Sequence, residues 1–332
     1  MSAHDGGAAT PAELLRRRVA DDPSRPLVTF YDDASGERVE LSARTFDNWV
    51  AKTANFLVDG LAAEPGTRAV LVLPPHWQTA VWLMACWSAG LVVAPLDPEE
   101  VRRGTERSGA EPITGPGPYQ RGGTTPHTPR NGPYQRGGTT PHTPRNGPYQ
   151  RGGTTPHTPR NGPYIVAAAQ EVLDEVTADD VLAGGAEEIV GLSLHALGGP
   201  LAACPPGVTD YAAEVRTYGD RFTAGPEVTP ETPALDVTKA TFTAGRLVTA
   251  AREAAAKWEL DARDRLLVDM SFATLDGVLT GLLAPLASGA SVIIQRNFDK
   301  ATLDRRLTVE HVTVVAGPPG PNDESGSPYR LP

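Results

Sequence analysis

Residues 45–97 and 241–299 read as two copies of one structural unit, and this duplication constrains the fold more than any other feature of the chain. Each copy opens on Thr-Phe and an amphipathic helix, then passes through an acid-containing turn into an Arg-led apolar strand. A second helix, a Gly and a second apolar strand follow. Thr45-Phe46 answers Thr241-Phe242, Arg68 answers Arg265, Gly90 answers Gly289, and Val92-Val93 answers Val292-Ile293. A crossover helix returns the chain to a parallel neighbour strand. The pattern therefore predicts an α/β protein of two pseudo-symmetric αβαβ halves with mostly parallel sheets. Ligands in such folds sit beyond the carboxyl ends of the strands, where the connectivity switches.

The rest of the chain divides around these copies: a first half over 1–114, an insertion over 115–164, a second half over 165–316 and a tail over 317–332. Residues 117–131, 132–146 and 147–161 are three identical copies of Gly-Pro-Tyr-Gln-Arg-Gly-Gly-Thr-Thr-Pro-His-Thr-Pro-Arg-Asn, followed by Gly162-Pro163-Tyr164. A copy holds one Tyr and no aliphatic side chain, so stacked copies have nothing with which to build a core. Composition predicts a disordered insertion and a disordered tail. His127, His142 and His157 recur through flexible chain and make no preorganised metal site. Gly122-Gly123-Thr124-Thr125-Pro126 has the look of a phosphate loop but lacks a following Lys.

The net charge of −10 opposes nonspecific binding to nucleic acid or anionic membranes. Each repeat carries two Arg and no acid, so the three copies hold +6 and the remainder of the chain stands at −16. Cys86 and Cys204 lie in apolar surroundings outside any Cys-x-x-Cys or Cys/His cluster, which points to packing rather than a metal or disulfide. Met1 to Asp5 has neither a basic region nor an apolar run, so a cytoplasmic location is expected. Ala69 to Leu96 has no Asp, Glu, Lys or Arg, but Pro74-Pro75 divides it into strand, helix and strand rather than a membrane span.

Local signals add detail. Thr10-Pro11-Ala12-Glu13 is a capping box with Pro at the first helical position. Leu27–Tyr31 and Arg38–Leu41 read as a hairpin, Val166–Val176 as a helix, Ile189–Leu192 as a buried strand, and Asp210–Arg216 as a short helix.

Gly66 to Leu73, Ala85 to Gly90 and Val92 to Pro98 resemble the N-terminal domain of the AMP-dependent synthetase/ligase superfamily, the adenylate-forming, acyl-CoA-synthetase-like enzymes. Leu260 to Val268, Ser271-Phe272, Leu282 to Gly289, Val292 to Ile294, Phe298-Asp299 and Glu310 to Thr313 continue the likeness, which is strongest to short actinobacterial relatives. The resemblance implies a Gly-rich ATP loop of the form Thr-Ser-Gly-Thr-Thr-Gly-x-Pro-Lys, whose backbone N–H groups cradle the triphosphate. Pro230 to Lys239 occupies that place and contains no Gly. The superfamily's C-terminal domain, with its catalytic Lys, has no counterpart after Gly317.

Independent adenylation is therefore not expected, and ATP with Mg would be a cofactor only if another element replaced the loop. The ligand candidates are strand-end residues: His76 and Trp77, His195, and Ser271, Phe272 and Asp276, with Thr238 and Lys239 as the stump of the loop. His76 and His195 are general-base candidates, with helix capping as the competing role. Three readings stand: a non-catalytic homologue binding a small acyl or nucleotide-like ligand or a protein partner, a ligase fragment served by a separate C-terminal domain, or a decayed gene product.

Overall fold

The structure is a computed structural model that describes residues 9–109, 164–195, 198–237, 239–317 and 329–331. In chain order its elements are α1 (Pro11–Asp21), β1 (Pro26–Asp32), β2 (Glu37–Ser42), α2 (Ala43–Asn55), β3 (Arg68–Val72), α3 (Trp77–Ser88), β4 (Val92–Leu96) and α4 (Pro98–Gly109). Then come β5 (Tyr164–Ala169), α5 (Leu173–Ala178), β6 (Ala186–Leu192), β7 (Val208–Asp210), α6 (Tyr211–Glu214), β8 (Pro233–Val237), β9 (Ala240–Thr243) and α7 (Ala244–Lys257). The last are β10 (Arg265–Val268), α8 (Leu275–Val278), α9 (Ala284–Ser288), β11 (Ser291–Arg296), α10 (Lys300–Val309), β12 (Val314–Ala316) and β13 (Tyr329–Arg330).

The strands form two sheets, β7-β6-β5-β3-β4-β8-β9 and β13-β12-β10-β11-β1-β2. Every neighbouring pair is parallel except the hairpins β1–β2 and β8–β9. The α/β class and the parallel pairing within each copy agree with the sequence, but the hairpins exchange places. β1–β2 leads into α2 of the first copy yet pairs on β11 of the second. β8–β9 leads into α7 of the second copy yet pairs on β4 of the first. The duplicated unit is thus hairpin, helix, strand, helix, strand, and each copy lends its hairpin to the other's sheet. Sequence halves and sheets consequently do not coincide, since β5 to β9 all join the sheet begun by β3 and β4.

An Arg at the start of each copy's first strand ties down the exchanged hairpin. Arg68 on β3 reaches past β4 to Asp236 on β8. Arg265 on β10 reaches past β11 to Thr29 on β1 and Glu40 on β2, and also binds Glu310.

The copies align differently in detail from their sequence match. Ser42 accepts from the Thr45 N–H and Thr243 from the Arg246 N–H, so these are the equivalent helix caps. Thr45-Phe46 therefore lies inside α2, whereas Thr241-Phe242 lies in β9 ahead of its helix. In the second strands, Ala69 pairs with Val93 and Leu266 with Val292, so Val93 answers Val292, one residue from the sequence match. Sequence likeness cannot fix a slip among consecutive β-branched residues, although a one-residue slip exchanges the two faces of a strand.

α3 explains the uncharged run. All twelve of its residues are buried. It packs on α2, on β4 of one sheet and on β1 of the other, so no side of it meets water. Among the described residues no helix is long and apolar enough to cross a membrane. One continuous core takes in residues of both sheets and of α1, α2, α3 and α7. β10 alternates between its faces: Leu266 and Val268 enter this core, while Leu267 joins Ile293, Leu303, Val312 and Val315 beneath α10.

Val166–Val176 departs from its expected helix. It is strand through Ala169 and becomes α-helical only from Leu173. β5 lies between β3 and β6 with all six residues buried, and a strand covered on both faces loses the polar alternation that identifies it. The inserted repeats lie outside the described residues, except that Tyr164, the end of the partial fourth copy, opens β5. Its ring is buried and its hydroxyl donates to the Val181 carbonyl at 2.7 Å. In the tail, Tyr329–Arg330 forms β13 and pairs with β12.

Candidate functional site

The two sheets bring polar strand-end residues together around Glu37, at the start of β2. His76 follows β3 and is the N-cap of α3, its Nδ1 accepting the Gln78 N–H at 3.1 Å. That bond assigns the ring proton to Nε2. Nε2 lies 4.0 Å from Glu37 Oε1, and both atoms are buried with no hydrogen-bond partner. The ring is 1% exposed and stands edge-on to Phe30, with centroids 4.3 Å apart. Burial, reinforced by the Arg296 guanidinium, holds the imidazole pKa well below its ordinary value, so His76 is neutral. Burial raises the Glu37 pKa, and Asp32 adds to this, while His195 and Arg296 oppose it.

His195 approaches Glu37 from the end of β6. It is exposed, and its backbone N–H donates to Ser193 Oγ at 3.2 Å. Ser193 Oγ donates onward to the Gly199 carbonyl at 2.5 Å. Leu194, between them, is buried in the left-handed region at φ 55°, a strained conformation for a non-glycine residue. Arg296, at the end of β11, pairs with Glu171 at 2.5 Å, and Arg102 reaches the same carboxylate at 3.9 Å. Asn297 donates to Asp32 at 2.9 Å. Ends of β1, β3, β5, β6 and β11 thus meet where the two sheets face each other.

The predicted candidates separate into groups. His76 and His195 share Glu37 as a neighbour, and His76 also fills the capping role. Trp77 is buried beside His76, 5.4 Å from the ring of Trp49. Ser271, Phe272 and Asp276 lie at the end of β10. Ser271 Oγ accepts the Ala273 N–H at 3.3 Å, Phe272 is buried over Gly281, and Asp276 is exposed in the first turn of α8. Among the described residues, none of their hydrogen bonds joins them to Glu37 or His76. Lys239 is exposed at φ 68° in the β8–β9 turn. Thr238 lies outside the described residues. The pairing of Val237 with Ala240 leaves two residues to link these strands.

Glu37 and Arg296 were not legible in the sequence. Glu37 follows Ser35-Gly36 and has the pattern of a solvated turn, while Arg296 ends an apolar strand where a charge usually marks the return to water. Only the exchange of the β1–β2 hairpin carries Glu37 to the mouth of the other sheet. A separate surface depression of about 470 Å³ lies against the start of α7, lined by Pro230, Glu231, Thr243, Gly245, Arg246 and neighbouring residues. It contains neither histidine of the Glu37 cluster. Among the described residues, no group of three His, Cys, Asp or Glu is placed to hold a metal ion.

Residues 15–110 match the family model described as AMP-binding enzyme. The fold is also found in the anthranilate CoA ligase AuaEII in complex with anthranoyl-AMP, with a TM-score of 0.61 and 11% identity over 93% of this chain and 49% of that one. It recurs in the N-terminal domain of FACL13 from Mycobacterium tuberculosis, with a TM-score of 0.58 and 13% identity over 93% of this chain and 62% of that domain. The protein therefore has the fold of the N-terminal ligase domain, its residues 15–110 resemble AMP-binding enzymes, and it spans about half the length of the anthranilate ligase. A TIGR03089 family protein of Mycobacterium tuberculosis (strain ATCC 25618 / H37Rv) is 34% identical over 307 residues, covering 91% of this chain and 96% of the relative. The chain belongs to that family.

Proposed function

We propose that the protein is a ligase-fold binding protein that does not adenylate a substrate on its own. The observation that carries this reading is the two-residue link between β8 and β9. A triphosphate cradle needs a run of backbone N–H groups turned toward the phosphates, and this hairpin closes too tightly to supply one. The adjoining strand is also committed: Asp236 is held by Arg68 and Thr241. Positioned charge provides most of the rate in phosphoryl-type chemistry, so a site without that loop loses its main source of catalysis.

The cluster around Glu37 supports retained binding, because it keeps unpartnered buried polar atoms at the strand ends where ligands of α/β folds sit. A small acyl or nucleotide-like molecule fits this reading, as does a protein partner. The test is calorimetric titration of the full chain with Mg-ATP and with AMP, alongside ATP–pyrophosphate exchange and a variant lacking 117–161. The expected result is no saturable Mg-ATP binding and no exchange. Saturable Mg-ATP binding by both proteins would overturn the proposal and favour a ligase fragment that works with a separate C-terminal domain.

A further inference from the structure

We infer that the gap between His76 and Glu37 is a subsite for one hydroxyl oxygen, filled by water in the unliganded protein and by the alcohol group of a ligand when one binds. The ligand half of this inference rests on the binding reading above; the water half does not.

The geometry dictates the chemistry. His76 Nδ1 is committed to the Gln78 N–H, so Nε2 presents a hydrogen. That hydrogen and Glu37 Oε1 lack partners although both atoms are buried, and native proteins rarely leave such atoms unpaired. Their 4.0 Å separation is too long for a direct bond. An oxygen at about 2.8 Å from each atom closes the triangle at an angle of about 90°, which suits a group that accepts from Nε2–H and donates to Oε1. Water and alcohols do both. A carboxylate oxygen has no hydrogen to donate, and an ammonium has no lone pair to accept. A metal at about 2 Å from both atoms would sit almost on the line between them, with no third His, Cys, Asp or Glu grouped around it among the described residues.

The surroundings fit a neutral group. His76 aside, Asp32, His195 and Arg296 bear on Glu37 among the described residues, and Arg296 is engaged by Glu171. Oε1 accepts a hydrogen bond whether Glu37 is ionised or carries its proton on the other oxygen, whereas a proton on Oε1 itself would turn it into a donor and admit a carboxylate instead. Phe30 and Trp77 flank the imidazole, so the carbon bearing the hydroxyl would lie against aromatic rings.

The test is NMR of the full chain with 15N-labelled histidine, following the His76 Nε2–H signal. Without additives, cross-relaxation from this hydrogen to a bound water is expected. Titration with 1,2-propanediol should shift the signal saturably, whereas acetate should leave it in place. Glu37→Leu should abolish the diol response while the Nδ1 cap persists. Water contact without a diol shift would uphold the oxygen subsite and overturn its use by a ligand. Absence of both would overturn the subsite itself, and a saturable acetate shift would overturn its hydroxyl selectivity.

Discussion

Replacing Asp33 by Ala removes the acceptor that fastens α10 to the end of β1. Asp33 takes two hydrogen bonds from the Arg306 guanidinium, one from the Asp299 N–H at 2.7 Å and one from Thr302 Oγ1 at 3.2 Å. The two charged side chains are 5% and 7% exposed, so the variant strands a guanidinium in the protein interior. Breaking a buried pair on one side costs about 3–5 kcal/mol. Arg306 keeps its 2.6 Å bond to Gln295 Oε1 and its position 4.1 Å over the Tyr31 ring, which puts the expected loss near the lower end, about 3 kcal/mol. Arg306→Met in the same chain removes the stranded charge, and the double variant should regain about 1.5–3 kcal/mol as coupling. Urea denaturation of the four proteins of the cycle measures this. Burial raises the Asp33 pKa, but the bonds from Arg306 and Asp299 outweigh it and hold it below the ordinary value. The carboxylate's contribution is therefore complete above the ordinary Asp range and is lost as pH falls through the lowered value, so the deficit of Asp33→Ala should shrink in acid. A loss under about 1 kcal/mol at neutral pH, or no recovery in the double variant, would refute the reasoning.

Three further outcomes are expected. Gly90 and Gly289 both lie in the left-handed region, at φ 79° and 81°, so Ala at either costs about 1–2 kcal/mol. Gly90→Ala should cost about 1 kcal/mol more, because its Cβ would sit 3.0 Å from Val228 and 3.2 Å from Pro65, against 3.3 Å from Ala262 at Gly289; equal losses in thermal denaturation would contradict this. Burial raises the Glu37 pKa, so its stabilising proton is present at low pH and lost as pH rises through the raised value. Glu37→Gln should accordingly gain melting temperature relative to the parent as pH rises above the ordinary Glu range, and a pH-independent difference would count against it. Cys204 is an exposed free thiol, whereas Cys86 is buried and burial pushes its thiol up, so a disulfide reagent should titrate one thiol in the native protein and two in denaturant.

The sequence by itself determined the class of fold, because duplication of helix, strand, helix, Gly and strand leaves few arrangements other than parallel pairs joined by crossovers. It also determined local starts whose signals lie within a few residues. The Thr10–Glu13 capping box forms as its pattern requires, and Leu27–Tyr31 with Arg38–Leu41 forms the expected hairpin. It located the histidines at strand ends, since a strand end is marked where the apolar run stops.

Tertiary structure alone decided what those ends face. The exchange of hairpins between sheets is a pairing of residues more than 140 positions apart, and nothing local to β1 or β8 encodes which sheet will accept it. That exchange sets Glu37 opposite His76 and turns an apparent surface turn residue into a buried carboxyl. Burial hid β5: covered on both faces, it shows the same unbroken apolar run as a buried helix. Periodicity reports how many sides of an element meet water, whereas partners and depth belong to the packed whole.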